Sequence, residues 1–257
     1  FSQEGVQEVS NGSFSQEGAE EVTNGDFVTD SDWLLENGAV INNGSVNLLG
    51  NNSRFRQTPL ISGKSYKLVY EVISTDGGSF RFQDGVTAFM DVPQTIGIHT
   101  YYFKSTGDRV QFQATSAIDA RIDNVSVKEV GQDWSFSSGA SLTDLGAKIT
   151  HTPTAGSIGQ VNVLVIGKQY KLTYEITESV SGGLKFNSAV NASMVTTVGV
   201  HTKYFEADAT TAVFSRTDSS NNDVTITNIS VKEVGQDWTL GGTATIGDNL
   251  VNINSPS

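Results

Sequence analysis

Nine residues, Ser-Val-Lys-Glu-Val-Gly-Gln-Asp-Trp, occur at Ser126–Trp134 and again at Ser230–Trp238, 104 positions later. A tandem repeat of that length fixes the plan of the chain before any single residue is interpreted: it is an array of domain-sized copies. Two further pairs keep the period. Gly63-Lys-Ser-Tyr-Lys-Leu-Val-Tyr-Glu-Val72 returns as Gly167-Lys-Gln-Tyr-Lys-Leu-Thr-Tyr-Glu-Ile176, and Gly97-Ile-His-Thr-Tyr-Tyr-Phe103 returns as Gly199-Val-His-Thr-Lys-Tyr-Phe205. Arrays supply reach, valency or a repeated surface, so a single buried catalytic centre is not the expected plan.

The three tryptophans, Trp33, Trp134 and Trp238, each follow an aspartate and each open a copy. The expected organisation is a leader at 1–21, unit one at 22–130, unit two at 131–234, and the first hairpin of a third unit at 235–257. An incomplete sandwich leaves strand edges unpaired, so the expectation is that the polypeptide continues or that this hairpin completes a neighbouring chain. With only about three residues between units, the reading is a stiff string of beads with a tryptophan packed at each joint. The leader holds a smaller duplication: Phe1–Ser13 and Phe14–Asp26 share Phe-Ser-Gln-Glu-Gly and a Val-(Ser/Thr)-Asn-Gly segment, and Phe27 starts another round. It reads either as an extended segment that adds strands to a neighbour or wraps an assembly, or as a flexible product of slippage.

Inside a unit the pattern has period two. Tyr66, Leu68, Tyr70 and Val72 alternate with Lys67, Val69 and Glu71, and Tyr170, Leu172, Tyr174 and Ile176 repeat this, which is a strand with one buried face. Val110 and Phe112 alternate with Arg109, Gln111 and Gln113. Asn43-Gly44 between apolar pairs predicts a hairpin turn. In Ile122–Val127 and Ile226–Val231 the apolar parity shifts midway, which predicts a β-bulge. No stretch sustains a 3.6-residue period. Each unit is therefore expected to be all-β, an antiparallel β-sandwich of about 104 residues.

Charged residues make up 17% of the chain and the net charge is −12. No basic stripe exists to neutralise phosphates, which excludes nucleic acid as a partner, and no apolar run reaches the ~20 residues of a membrane span. Cysteine is absent. No phosphate-cradling glycine loop, nucleophile elbow or metal-ligand spacing appears, so no catalytic residue is assigned. His99 and His201 recur without an accompanying acid or serine and are read as pins of a strand end.

Taken together, Glu21-Val-Thr-Asn-Gly-Asp-Phe27 followed by Asp32-Trp33, the Gly-Lys-x-Tyr-Lys-Leu centre, the Gly-x-His-Thr-x-Tyr-Phe strand and the closing Ile122-Asp-Asn-Val-Ser-Val127 resemble the galactose-binding-like jelly roll of carbohydrate-binding modules. Versions this repetitive are similar to those of phage tail fibres, other virion proteins and bacterial surface proteins. The resemblance spans residues 22–234 and implies several expectations. The first is a non-enzymatic, extracellular or virion-surface repeat protein that binds host-surface glycans by avidity and contacts other virion or filament subunits, with homo-oligomers possible. The alternatives are a purely structural spacer or decoration array and accessory modules of a secreted glycoside hydrolase. A structural calcium in unit one would fall to Asn24, Asp26 and Asp123; unit two has Thr227 in place of the last and lacks the Asn-Gly-Asp-Phe stretch. For glycan contact, flat aromatics and hydrogen-bonding forks are needed, and the candidates are Tyr102, Phe80, Arg81, Arg54 and Arg56, with Tyr204 in unit two.

Overall fold

The computed structural model describes residues 3–85, 89–151, 156–189, 193–218, 220–238, 244–247 and 250–252. It divides into two compact units, and their boundaries correct the expected ones. Module one is residues 17–130; module two is residues 131–257 together with residues 1–16 from the far end of the chain. The leader is not a separate element. Its first copy holds β1 (Glu4–Gln7) and its second β2 (Glu17–Glu20), and each copy completes a different module.

Module one continues with β3 (Leu34–Glu36), β4 (Val40–Ile41), β5 (Val46–Leu49), β6 (Arg54–Gln57), β7 (Ser65–Thr75), β8 (Phe80–Gln83), β9 (Phe89–Met90), β10 (Gly97–Lys104), β11 (Val110–Ala114) and β12 (Asp119–Val130). They form two antiparallel sheets, one in the order β10-β7-β12-β5-β4 with β2 also on β12, the other β3-β6-β11-β8-β9. Among the described residues there is no helix. Because side chains alternate across a strand, each sheet turns one apolar row inward. Tyr66, Leu68, Tyr70 and Val72 from β7 meet Phe55, Phe80, Phe82 and Phe112 from the other sheet in one buried cluster. Phe112 stands at its centre, stacked on Phe55 at 5.1 Å and edge-on to Tyr70 and Phe82. Burying each such ring contributes about 2–3 kcal/mol.

The short-range expectations hold. Asn43 and Gly44 both have positive φ (52° and 66°) and Asn42 N–H donates to the Ser45 carbonyl, which is the turn a two-residue hairpin requires. The parity shift in β12 is a bulge between Asp123 and Ser126, with Asn124 at φ 51°, so Ile122, Val125 and Val127 all face the core. The repeated histidines donate from Nε2 to the carbonyls of Thr95 and Thr197 and lie over Tyr70 and Tyr174, pinning strand starts.

Module two repeats the plan with β13 (Ser135–Phe136), β14 (Ala140–Thr143), β15 (Gly146–Thr150), β16 (Ser157–Gln160), β17 (Gln169–Ser181), β18 (Leu184–Phe186), β19 (Gly199–Glu206), β20 (Ala212–Arg216) and β21 (Asp223–Val234), arranged as β14-β15-β21-β17-β19, with β1 on β21, and β13-β16-β20-β18. β22 (Thr245–Gly247) and β23 (Leu250–Asn252) pair with each other as a hairpin.

The two leader copies make one set of contacts twice. Glu4 ion-pairs with Lys171 and Lys232 at 2.6 and 3.0 Å, and Glu17 with Lys67 and Lys128 at 2.7 and 3.0 Å. The Gln7 side chain accepts from Ser230 Oγ and Val231 N–H, and the Glu20 side chain from Ser126 Oγ and Val127 N–H. Gln160 brackets the Ser10 backbone and Gln57 that of Thr23, each donating to the carbonyl and accepting from the N–H. Ile229 N–H donates to the Gly12 carbonyl and Val125 N–H to that of Gly25. Phe14 packs on Trp134 at 5.2 Å and Phe27 on Trp33 at 5.4 Å, while the two indole N–H groups donate to Ser10 and Asn11 and to Asn24 carbonyls.

Two expectations are corrected here. The Asn-Gly-x-Phe stretch absent before Trp134 is supplied by Asn11-Gly-Ser-Phe14. Trp33 and Trp134 are packing residues, but each packs within its own module, against Phe27 and Phe55 and against Phe14 and Phe214. Trp238 is 64% exposed.

The leader carboxylates make the docking pH-sensitive. Hydrogen bonds from Lys171 and Lys232 hold Glu4 below its ordinary 4.5. Those from Lys67 and Lys128 do the same for Glu17. A depressed acid contributes stability above its unfolded pKa and loses it as pH falls through the folded value. Glu8, raised by burial and by Glu233, works in the opposite sense, so the effect is best read by difference. Glu4→Gln is expected to lower the melting temperature of module two by a few degrees at pH 7, from an ion pair of about 0.5–1 kcal/mol. The difference between variant and parent, followed in a calorimeter, should shrink as pH falls below 4.5 through the lowered folded value of Glu4.

Candidate functional site

The outward side of the β3-β6-β11-β8-β9 sheet is the most chemically distinctive surface of module one. Phe55, Phe80, Phe82 and Phe112 point inward, so the intervening residues point out. Register then sets two rows across the five strands: Leu34, Arg56, Gln111, Gln83 and Phe89 in one, Glu36, Arg54, Gln113 and Arg81 in the next. Arg54 holds Glu36 by two bonds of 2.9 and 2.8 Å, and Arg56 approaches the same carboxylate at 3.4 Å. The bonded Arg54 guanidinium keeps the Glu36 carboxyl below the ordinary range and itself becomes harder to deprotonate. Arg81 pairs with Asp91 at 3.0 Å.

Between the arginines lies an amide ladder. Gln111, 1% exposed, donates from Nε2 to Gln83 Oε1 at 2.5 Å and to Gln113 Oε1 at 3.1 Å, while its own Oε1 has no hydrogen-bond partner. Arg109 Nε is likewise buried without one. Beside them a cleft of about 560 Å³ is lined by Asp32, Leu34, Arg56, Gln57, Thr58, Pro59 and Arg109. Buried polar atoms left unpaired cost about 1–3 kcal/mol each, and an added hydrogen-bonding group recovers that cost. Phe89 stands at the far end of the first row, 48% exposed, because its neighbour Met90 takes the core-facing position opposite Phe82.

Module two carries the same sheet with this chemistry removed. Across β16, β20 and β18 the outward positions are Ser157, Gly159, Val213, Ser215, Lys185 and Asn187, and Ser193 bridges to Lys185 as Asp91 meets Arg81 in module one. Four of the six arginines of the chain, Arg54, Arg56, Arg81 and Arg109, belong to the face of module one or its cleft.

The sequence matches no family model and no curated protein. Among solved structures, the N-terminal CBM22-1-CBM22-2 tandem domain from Paenibacillus barcinonensis Xyn10C is similar over 85% of this chain and 99% of that one, at 10% identity and a TM-score of 0.36. An anti-sigma factor domain-containing protein is similar over 82% of this chain and 93% of that one, at 11% identity and a TM-score of 0.21. The assignment of two antiparallel sandwiches rests on the strand order and register given above.

Of the residues singled out from the sequence, Arg54, Arg56 and Arg81 share this face. Phe80 does not: it is fully buried against Phe112, and its ring offers nothing to a ligand. Tyr102 lies opposite Lys67 on the other sheet, and Tyr204 opposite Lys171 in module two, so neither belongs to the arginine face. Glu36, Gln83, Gln111, Gln113, Phe89 and Arg109 were missed. Their signal was parity: Gln111 and Gln113 alternate with core residues, and Phe89 precedes the inward Met90.

The calcium expectation meets an unsuitable donor set. Asn24 is engaged by the following loop, donating to the Thr29 and Ser31 carbonyls and accepting from Thr29 N–H. That leaves Asp26 and Asp123, short of the six to eight oxygens calcium takes. Burial, Glu71 and Asp26 raise the Asp123 carboxyl, against the bond it accepts from Asn124 N–H. In module two the pair becomes Ser13 and Thr227, joined by a bond from Thr227 Oγ1 to the Ser13 carbonyl.

Proposed function

We propose that this chain is a non-enzymatic repeat protein whose module one binds glycans on the outward face of the β3-β6-β11-β8-β9 sheet, while module two acts as a structural unit of the array. The observation that carries the reading is the contrast between two copies of one sheet. In one, arginines and an amide ladder with an unpaired buried oxygen are assembled beside the exposed Phe89 ring; in the other, the positions of Arg54, Arg56, Arg81, Gln83, Gln111 and Gln113 hold Ser157, Gly159, Lys185, Asn187, Val213 and Ser215. A ring flanked by bidentate polar groups suits a pyranose, whose flat apolar face stacks while its hydroxyls donate and accept. Single-site affinity on so open a face is expected to be weak, and repetition would raise it through avidity.

The setting that fits this reading is a virion surface, such as a phage tail fibre, or another extracellular filament; its support is the repeat and the sequence resemblance. Accessory modules of a secreted glycoside hydrolase would use the same face. A spacer without recognition is the second reading, and the plain face of module two favours it for that module.

The test is binding of the full chain to a glycan panel displayed multivalently. Phe89→Ala is expected to weaken any hit about tenfold, for a stacking contribution of about 1.5 kcal/mol, and Arg56→Ala should weaken it as well. Tyr102→Ala, on the other sheet, should leave it unchanged. Equal sensitivity to Tyr102 would move the site, and silence across the panel would favour the spacer.

A further inference from the structure

The seats that the two modules offer to the two leader copies make the same demands on sequence. Both leader copies present an acidic residue to a lysine pair, a side-chain acceptor to the Ser-Val backbone of the last strand, a bracketed Ser or Thr backbone, a close-packed Gly and a Phe on Trp. A Cβ added at Gly12 would overlap the Ile229 carbonyl, and one at Gly25 the Val125 carbonyl, so the same glycine requirement is written into both seats. Module one receives its strand from the residues just before it. Module two receives its strand from residues separated from the rest of it by all of 17–130.

The seat also has the form of a strand-accepting edge. β15 covers β21 only from Asp223 to Ile226, and beyond the bulge at Asn228 the place beside Lys232–Val234 is taken by β1. With the leader withdrawn, that half of β21 becomes an open edge, and the Trp134 ring loses Phe14. Open edges pair with any strand of suitable sequence. Between Phe14, seated on module two, and Glu17, the first residue of β2, lie only Ser15 and Gln16. Exchange of an identical element preserves every contact, and short hinges favour it.

We propose that the leader segment, residues 3–14, is an exchangeable strand, and that the β21 edge with its Trp134 seat is a self-association surface filled by the leader of a second copy of this chain. Copies interlocked in this way share no new interface chemistry. Each module two is completed by a neighbour, and the products run from reciprocal dimers to open chains according to whether the exchange closes. Within one chain the leader is held at high effective concentration, so exchange is favoured when many copies fold together at close quarters. The arginine face lies on the other sheet of another module, so this association and glycan binding are independent and fail separately.

The chain has no cysteine, which makes engineered thiols specific reporters. Gln7 lies directly opposite Lys232 in the β1–β21 ladder, a spacing that a disulfide spans. Gln7→Cys chains and Lys232→Cys chains are unfolded together, refolded at high protein concentration and oxidised. A covalent heterodimer is expected, its yield rising with concentration, and several-fold less of it when the donor also carries Gly12→Ala. A heterodimer yield no higher than that of the Gly12→Ala donor would overturn the proposal. The double variant Gln7→Cys/Lys232→Cys should close an intrachain bridge at low concentration; its failure to do so would remove the seat itself, and the proposal with it.

Discussion

Removing residues 1–16 is expected to unfold module two and leave module one melting as before. The segment is short, but two of its side chains, Val9 and Phe14, are buried in module two, and it covers Trp134 and half of β21. Losing a buried Phe and a buried Val costs roughly 5–7 kcal/mol together, comparable to the whole stability of an ordinary domain at about 5–15 kcal/mol. The backbone bonds from Glu8 to Val231 and between Gly12 and Ile229 are lost as well. Calorimetry of the truncated chain should show one transition where the parent shows two, and the survivor should be that of residues 17–130. A single substitution sharpens the test. Gly12→Ala forces a methyl into the Ile229 carbonyl and should destabilise module two by about 3 kcal/mol, while Gly25→Ala does the same to module one through Val125. If residues 1–16 were a free leader, both the deletion and Gly12→Ala would be silent.

The parts of this fold that could be read in the sequence are those fixed within one strand or one turn. The alternation in Tyr66–Val72, the Asn43-Gly44 turn and the bulge at Asn124 each follow from neighbouring residues, and each is present. What could not be read is set by partners far away along the chain. Nothing near Gly12 announces that its carbonyl meets Ile229, and the duplicated leader reads equally as a wrap or as slippage until β21 is in place. The candidate site shows both cases. Arg54, Arg56 and Arg81 share one face because one parity governs adjacent strands, whereas the parity that turns Tyr102 away from Phe103 does not say which sheet holds it, and topology puts β10 in the opposite sheet. Phe80 was a different kind of error. Phe80 and Phe82 share a parity and are both buried, and the outward residue between them is Arg81. Parity in Phe80–Gln83 held that information.

Pulled from its ends, the chain should yield in a fixed order, module two before module one. Glu4 lies opposite Val234 across the β1–β21 pair, and Glu17 opposite Val130 across β2–β12, so each module is entered and left at adjacent points. Hydrogen bonds of an antiparallel ladder run across the strands, and tension applied at neighbouring ends opens them one at a time instead of shearing them together. Load applied at residue 3 and residue 234 falls first on β1 and β21. Only when the leader has peeled away does tension reach Glu17 and Val130, because residues 17–130 are inserted within module two and are bypassed while β1 stays paired. Optical-trap unfolding should therefore show an invariant sequence of two events, the second releasing residues 17–130, about 400 Å of contour at roughly 3.5 Å per residue. Gly12→Ala should erase the first event or bring it to near-zero force, leaving the second unchanged. Two sandwiches joined end to end would share the load from the start and yield in either order, so a random order would mean that residues 3–14 do not close module two under load.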